Sequence, residues 1–420
     1  MNLAAHAVAG AAFFVSIKPA PTNLCLLLCL VLVLLGQQTR NRLQQICFQP
    51  LGWLAFGFFA LLALSQLYSD STLVQANTYL SKYARLAYIP FITAALLTAR
   101  DANRVLWAFL LGMLLTLGIS MLNAISPGFC SSVLLTSCGP SSNPYVFKLH
   151  ITHGYFMALA AGLCIWISHS FYSAGKSLWL VLLFVLLAVA AAGNVLFMVD
   201  GRTGWVVLLA LFAVLFWRVA GIKGFLLAAV VVIALALGMY HLQPDVQQLV
   251  QASLQEYKDW ASTGAAAPGS RSGTRLVYYS QALEAISQRP WFGYGLGGVE
   301  DAMALKGPES RFFANDNPHN QYLLFGLQIG LVGLSVYVAY FWLLIKLCLR
   351  NSPVPLLVWG FFVSFALANL FNSFHFDMSE AVFFAIAVAV FFALADEQTK
   401  IQFPLRSGYR SVPWHFQKQP

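Results

Sequence analysis

The amino-acid sequence predicts an all-α polytopic membrane protein. Hydrophobic residues make up 59% of its 420 residues and charged residues only 9%, and the mean hydropathy is +0.72. A water-soluble core cannot enclose that much apolar surface, so lipid must cover the excess. Because each span needs roughly 20 apolar residues, we expect about 12 transmembrane helices. The predicted spans are 4–17, 24–35, 51–67, 86–98, 105–123, 151–168, 178–198, 205–217, 225–240, 321–347, 355–370 and 381–394.

The basic residues between these segments predict how the chain is oriented. With the N-terminus in the cytoplasm, most connecting cations, such as Arg218 and Lys223, fall on the cytoplasmic side, as the positive-inside rule requires. Both termini are then cytoplasmic, and 396–420 is a cytoplasmic tail. The first segment is followed by Lys18-Pro19 rather than by a small-residue cleavage site, so we interpret it as a retained span. The net charge of +9 is spread over short connections, and nucleic-acid binding is therefore not expected.

One connection is far longer than the others. We interpret 1–420 as a single integral membrane domain in which 241–318, between the ninth and tenth spans, is a large outer loop. Apolar residues at helical spacing predict one helix at 245–260. Good caps at Ser272 or Thr274 predict a second helix that runs to Gln288. A loop of this length on one face indicates that function lies on that face.

The seven cysteines divide into two groups. Cys130 and Cys138 share an outer loop rich in Ser, Pro and Gly, where oxidising conditions would join them in a disulfide. The other five lie in or near predicted spans and are expected to be inert.

His319 is the first candidate for chemistry. It follows Asn317-Pro318, which resembles a cap and first helical turn, and it precedes a long apolar segment. The positive end of the helix dipole disfavours the protonated imidazole and leaves a neutral ring that can accept a proton, as a general base must. The alternative is an interfacial histidine whose role is structural.

The outer face also carries a group of cations. Arg271 and Arg275 are four residues apart, with Tyr279 one turn further on, and would share one helix face. Guanidinium groups fork onto phosphate oxygens, so such a cluster suits a diphosphate. Alternatively, these loop arginines form a solvated face paired with Glu284 or Asp259.

Other cations can join this cluster from neighbouring segments. Lys82 and Arg85 lie three apart at the outer end of a span, Arg202 opens another span from the same side, and Arg289 and Arg311 lie in the large loop. Lys82 and Arg85 alternatively extend to lipid headgroups.

The carboxylates predicted on this face are scattered and include no Asp-x-Asp pair. Hard cations such as magnesium need several oxygen ligands. We therefore predict no metal site and no cofactor.

Four sequence segments, taken together, resemble a known family. The run His319-Asn320, nine residues, then Gly330-Leu331-Val332-Gly333 is similar to the H-[NSQ]-x9-G-x-x-[GTY] signature of the bacterial O-antigen ligase and polymerase family. The other segments stand in the order that the family shows. They are Lys82-Tyr83-Ala84-Arg85, Gly201-Arg202-Thr203-Gly204-Trp205, and Arg275 followed by Pro290-Trp291-Phe292-Gly293-Tyr294-Gly295.

The resemblance implies a glycosyltransferase C-like enzyme of the bacterial inner membrane, with its site on the periplasmic face and 241–318 as a periplasmic loop. Its ligase branch moves O-antigen polysaccharide from undecaprenyl diphosphate to a sugar hydroxyl of the lipid A core. Donor, acceptor and membrane lipids are then the expected partners. The alternatives are a polymerase, a protein O-oligosaccharyltransferase of the same family, or a flippase for lipid-linked sugars.

The resemblance and the residue chemistry assign the same roles. His319 is the expected general base. Arg202, Arg275, Lys82 and Arg85 are expected to bind the donor diphosphate, with Arg271, Arg289 and Arg311 as further candidates. Asn320 and Tyr279 are expected to support the site.

Overall fold

The computed structural model describes residues 2–130, 138–242, 244–264, 270–304 and 317–396. These residues form helices and connections, and the only β pairing among them is an isolated bridge between Cys138 and Val146. The helices are α1 (Leu3–Phe14), α2 (Pro19–Leu35), α3 (Gln37–Cys47), α4 (Pro50–Leu64), α5 (Leu73–Tyr83), α6 (Ile89–Ala95), α7 (Ala99–Ile125), α8 (His150–Ser173), α9 (Leu178–Gly193), α10 (Arg202–Leu242), α11 (Pro244–Thr263), α12 (Arg271–Gln288), α13 (Val299–Ala304), α14 (Gln321–Leu349), α15 (Pro355–Ala368) and α16 (Met378–Ala395). Short 3-10 helices follow α4 and α5, and a π-helical turn follows α9.

Six helical segments in the described part of the chain are long and apolar enough to cross a membrane. They are Pro50–Tyr68, Ala99–Ile125, His150–Ser173, Leu178–Met198, Gln321–Leu349 and Met378–Ala395. The pair α2 and α3, bent by 96°, makes a seventh if it counts as one span, and three shorter apolar helices accompany them. Each predicted span coincides largely with a helix. The chain is thus an all-helical, multi-pass membrane protein, as predicted.

Helix α10 is two helices joined at a sharp turn. Ala220 and Gly221 leave the helical conformation, and Gly221 has a positive φ of 57°, which glycine adopts without steric penalty. The turn brings Gly224 against the carbonyl oxygen of Phe216. Two separate spans were predicted on either side of this turn.

Polar contacts gather at one end of the helix bundle, which we call the site end. The connections that meet there include 65–72, 139–149, 290–298, 317–320 and 369–377. Asn372 Nδ2, for example, donates to Thr203 Oγ1 over 2.8 Å between a connection and the start of α10. At the opposite end, Arg42 pairs with Asp396 at 3.2 Å. The site therefore sits where several predicted outer connections converge.

Helix α14 is interrupted at Gly330, which has φ 64°. Residues 290–295, which we call the strap, enter this break and pair with the backbone groups that the helix leaves open. The hydrogen bonds run from Tyr294 N to Leu327 O (2.7 Å), Gly295 N to Gln328 O (3.0 Å), Leu331 N to Pro290 O (2.7 Å) and Val332 N to Trp291 O (3.2 Å). A Cβ at Gly330 would collide with the carbonyl oxygen of Trp291. Glycine is therefore required for the strap to dock.

The large loop contains the two predicted helices, α11 and α12, and a third short helix, α13. The predicted caps of α12 were wrong by a few residues, because Ser270 rather than Ser272 or Thr274 accepts a hydrogen bond from a first-turn amide, that of Gly273. The side chain of Glu256 instead accepts a hydrogen bond from the backbone amide of Ser272. The tail 397–420 and the loop segment 305–316 lie outside the described residues.

Candidate active site

His319 lies just before α14 rather than inside it. Its φ of 53° is left-handed, a conformation that is uncommon outside glycine and incompatible with the helix. The predicted cap at Asn317 was wrong, because the side chain of Asn320 accepts from Tyr322 N and Leu323 N and so caps α14. The chain can become helical only after His319 has turned.

Neighbouring groups hold His319 in this unusual conformation. Asn317 Oδ1 accepts from His319 N at 2.9 Å and also from Ser373 Oγ at 2.7 Å. The ring of Tyr278 lies 6.2 Å from the His319 ring, centroid to centroid. Left-handed residues that their surroundings fix in this way are found most often at functional sites.

Tyr279 of α12 connects the large loop to this turn. Its hydroxyl donates to Leu370 O at 2.9 Å and lies 3.4 Å from His319 O, while Asn320 Nδ2 donates to the same Leu370 carbonyl. Burial raises the pKa of Tyr279, although the charge of Arg275 and a hydrogen bond with Asn320 act in the opposite direction. The phenol therefore stays protonated at neutral pH and can serve as a donor. Tyr279 and Asn320 thus contact the segment that holds His319 in place.

A cavity of about 320 Å³ brings His319 together with the two cations that precede α6. Lys82 Nζ lies 3.6 Å from the ring centroid of Phe376, a cation–π contact. Arg85 donates to the carbonyl of Lys82 at 2.5 Å. These contacts fix both cations beside the imidazole, in an arrangement that can bind an anion such as a diphosphate.

Asp377 and Phe376 also line the cavity, and the sequence reasoning missed both. Burial lowers the pKa of Arg85, whereas Tyr88 and Asp377 raise it by their charge, so the carboxylate helps to keep the partly buried guanidinium ionised. The available signal was the polar cluster Asn372-Ser373 to Asp377 between two predicted spans. No role was predicted for that connection.

Arg202 and Arg275 lie beside the cavity, not in its lining. Arg202 donates to Ser272 Oγ at 2.9 Å, which ties the start of α10 to the first turn of α12. Arg275 lies one helical turn before Tyr279 and is close enough for its charge to act on that phenol. Both arginines therefore act on α12, the helix whose Tyr279 contacts the His319 segment.

The remaining arginine candidates are Arg289, Arg271 and Arg311. Arg289 pairs with Asp70 at 2.7 Å and lies over the ring of Tyr294 at 4.8 Å, so its partner is neither Glu284 nor Asp259. Arg271 is the first residue of α12, and nothing of its side chain is described. Arg311 lies outside the described residues.

Beneath the cavity, a fully buried polar network joins the three segments that line it. The backbone N–H of Gln321, two residues after His319, donates to Asn369 O, and its side-chain Oε1 accepts from His375 N at 2.9 Å. Tyr83, next to Lys82, donates to Gln328 Oε1 at 2.8 Å. All these side chains are at most 1% exposed.

Cys130 and Cys138 are joined in a disulfide, with Cα atoms 6.2 Å apart. Asn123 of α7 fixes both sides of this segment, because its Nδ2 donates to Gly139 O at 3.0 Å and its Oδ1 accepts from Cys130 N at 3.4 Å.

In the described residues, no group of three His, Cys, Asp or Glu side chains is arranged to hold a metal ion.

A comparison with known protein families gives a match to part of the chain. A family model described as O-Antigen ligase matches residues 187–338, a segment that contains Arg202, Arg275 and His319, whereas Lys82 and Asp377 lie outside it. No curated protein matches the chain. The match covers little more than a third of the chain and supports a member of the O-antigen ligase family, which comprises membrane transferases of the ligase or polymerase type.

Proposed function

We propose that the chain transfers O-antigen polysaccharide from undecaprenyl diphosphate to a sugar hydroxyl of the lipid A core, at the periplasmic face of the inner membrane. The observation that carries this proposal is the cavity in which His319, Lys82, Arg85 and Asp377 meet. A base beside two cations is what a glycosyl diphosphate donor requires, because a proton must be removed while negative charge develops on the leaving group.

The reaction is a single displacement. The acceptor oxygen attacks the anomeric carbon while its proton passes to the imidazole of His319, and the bond from that carbon to the diphosphate oxygen breaks. Undecaprenyl diphosphate leaves with the electron pair of the broken bond. Lys82 and Arg85 stabilise that charge, with Arg275 and Arg202 at the edge of the site, and the anomeric centre inverts.

The test measures donor binding and transfer separately in purified, folded protein, with lipid-linked glycan as the donor and lipid A core as the acceptor. His319→Ala should lower the transfer rate by roughly 10²- to 10⁴-fold while donor binding persists. Its matched control is His169→Ala, since His169 is exposed on α8, away from the site end. Full transfer by His319→Ala would return this histidine to a structural role.

Substitution of a donor-binding cation should give a different result in the same assay. Arg275→Ala should weaken donor binding as well as transfer, because a guanidinium contact acts on the diphosphate in the ground state and in the transition state. Arg275→Lys should restore little, since a point charge lacks the planar fork. Normal donor binding by Arg275→Ala would remove this residue from the diphosphate site.

Two further arms of the assay define the reaction class. Chelation with EDTA should leave transfer intact, and loss of activity that magnesium restores would contradict the cation-based account. Omitting lipid A core separates the family branches, because a ligase then forms no product, whereas a polymerase lengthens the glycan on its lipid carrier.

A further inference from the structure

Helix α11 of the large loop has three distinct faces. Leu249, Ser253, Glu256 and Trp260 follow one another at helical spacing and are partly buried, and Glu256 contacts the first turn of α12. Beside this inward face runs an apolar stripe. Its members remain exposed, with Val250 at 38%, Leu254 at 56% and Tyr257 at 53%.

The third face of α11 is polar. It carries Gln248, Gln251, Gln255 and Lys258, all exposed. An exposed apolar stripe between a packed face and a polar face is what a helix needs to lie in a membrane interface, with its apolar side toward the acyl chains.

The segment that leads into α11 places it at this depth. The second half of α10, residues 222–242, is about 31 Å long at 1.5 Å per residue, close to the thickness of the hydrocarbon core. Its surface is apolar and exposed, as at Ile222, Phe225, Val230 and Leu237, so that surface faces lipid. Pro244 starts α11 almost immediately after this helix, so α11 begins where an exposed apolar surface ends.

We propose that α11 lies in the headgroup region of the bilayer, with Val250, Leu254 and Tyr257 directed toward the acyl chains. The occupant of the stripe is the phospholipid surface itself. A tyrosine at the edge of such a stripe suits the interface, since its ring is apolar and its hydroxyl remains hydrated.

This position would give the bilayer a direct mechanical link to the cations of the site. On the inward face, Glu256 accepts from the amides of Ser272 and Gly273 at 2.8 and 3.3 Å. Ser272 in turn accepts from Arg202. The Glu256 side chain of α11 thus holds the first turn of α12, and α12 carries Arg275 and Tyr279.

The test places a genetically encoded fluorescent amino acid at Leu254 or at Gln248 in the full chain, reconstituted in phospholipid nanodiscs. Both positions are exposed on the same helix, so they form a matched pair. The probe at 254 should be quenched by lipids brominated on their acyl chains and spared by aqueous iodide, and the probe at 248 should show the reverse.

Equal quenching of both probes by iodide would overturn the proposal, because α11 would then stand in water. A probe at 254 shielded from iodide and bromolipid alike would also overturn it, since protein or glycan rather than lipid would cover the stripe. Variants that are not monodisperse are replaced by probes at Tyr257 and Gln255, which lie on the same two faces. The readout does not depend on transferase activity.

Discussion

Substitution of Gln321 can distinguish a side chain that positions the site residues from one that only stabilises the fold. Its side-chain Oε1 accepts from His375 N at 2.9 Å, and that amide lies two residues before Asp377. Gln321→Met keeps the length and volume of the side chain but removes the acceptor. The buried amide of His375 is then left unpaired, which costs about 1–3 kcal/mol.

Gln328 provides the matched control, because it is also fully buried in α14 and its Oε1 accepts from the Tyr83 hydroxyl at 2.8 Å. Gln328→Met should therefore lower stability by a similar amount, about 1–3 kcal/mol. Within the described part of the chain, its side chain bonds to Tyr83 and not to the connection 369–377. The two variants thus differ in what they release rather than in how much they destabilise.

Only Gln321→Met should release the segment that carries Phe376 and Asp377. Because a displacement of about 1 Å can cost on the order of 10²-fold in rate, we expect its transfer rate at saturating donor to fall by roughly 10- to 100-fold. Gln328→Met should keep a rate within a few-fold of the parent. Thermal unfolding and single-turnover transfer, measured on the same preparations, provide both quantities.

An equal loss of transfer by the two variants would contradict this role of Gln321, since the effect would then be general destabilisation. The role would also be contradicted if Gln321→Met were destabilised but transferred at the parental rate, since the connection would then not need its anchor.

Three other predictions follow from particular contacts. Gly330→Ala should lower the free energy of unfolding by more than about 1 kcal/mol, because φ is positive and the strap leaves no room for a methyl group. The control Gly118→Ala, with no neighbour within 4 Å of the added Cβ, should be neutral or slightly stabilising. Burial raises the pKa of Glu256, but hydrogen bonds from the α12 amides and serine hydroxyls outweigh it and leave that pKa lowered. The free energy of unfolding of the unsubstituted protein should therefore exceed that of Glu256→Gln fully above the ordinary carboxyl pKa, and this difference should vanish as pH falls through the lowered pKa. A difference that does not change with pH contradicts this. Cys130 and Cys138 should resist alkylation in protein isolated without reductant, and replacing both with serine should cost at most about 2–3 kcal/mol, since the loop they close is short.

The sequence was sufficient to predict the helices because hydrophobic periodicity and length mark spans strongly. Even the two helices within α10 were separated correctly, since Arg218, Gly221 and Lys223 interrupt the apolar run. The cap of α14 was misplaced for a different reason. Asn317 and Asn320 are both good caps, and the tertiary contacts of His319 decide which of them is used.

The site itself could be predicted only in part. Lys82 and His319 carried recognisable motifs, whereas Asp377 lies in a short connection with no motif, and only folding brings it to the cavity. Arg289 was a candidate site residue because it lies in the large loop, as Arg275 does. Its partner Asp70 comes from a distant connection that no local pattern could have identified.

The spacing of the His-Asn and Gly-containing parts of the family signature has a structural explanation in α12 and α14. The two helices run in parallel register. Tyr279 meets the carbonyl of His319, Ile286 packs against Gly326, and the carbonyl of Pro290 accepts from Leu331 N.

Tyr279 to Pro290 and His319 to Gly330 are equal numbers of residues, and most of each run is helical. The histidine therefore sits at one end of a matched pair of helices, and the glycine at the other end admits the strap. Gly330 thus has a structural role in the signature, since it admits the strap that follows α12, the helix that carries Arg275 and Tyr279.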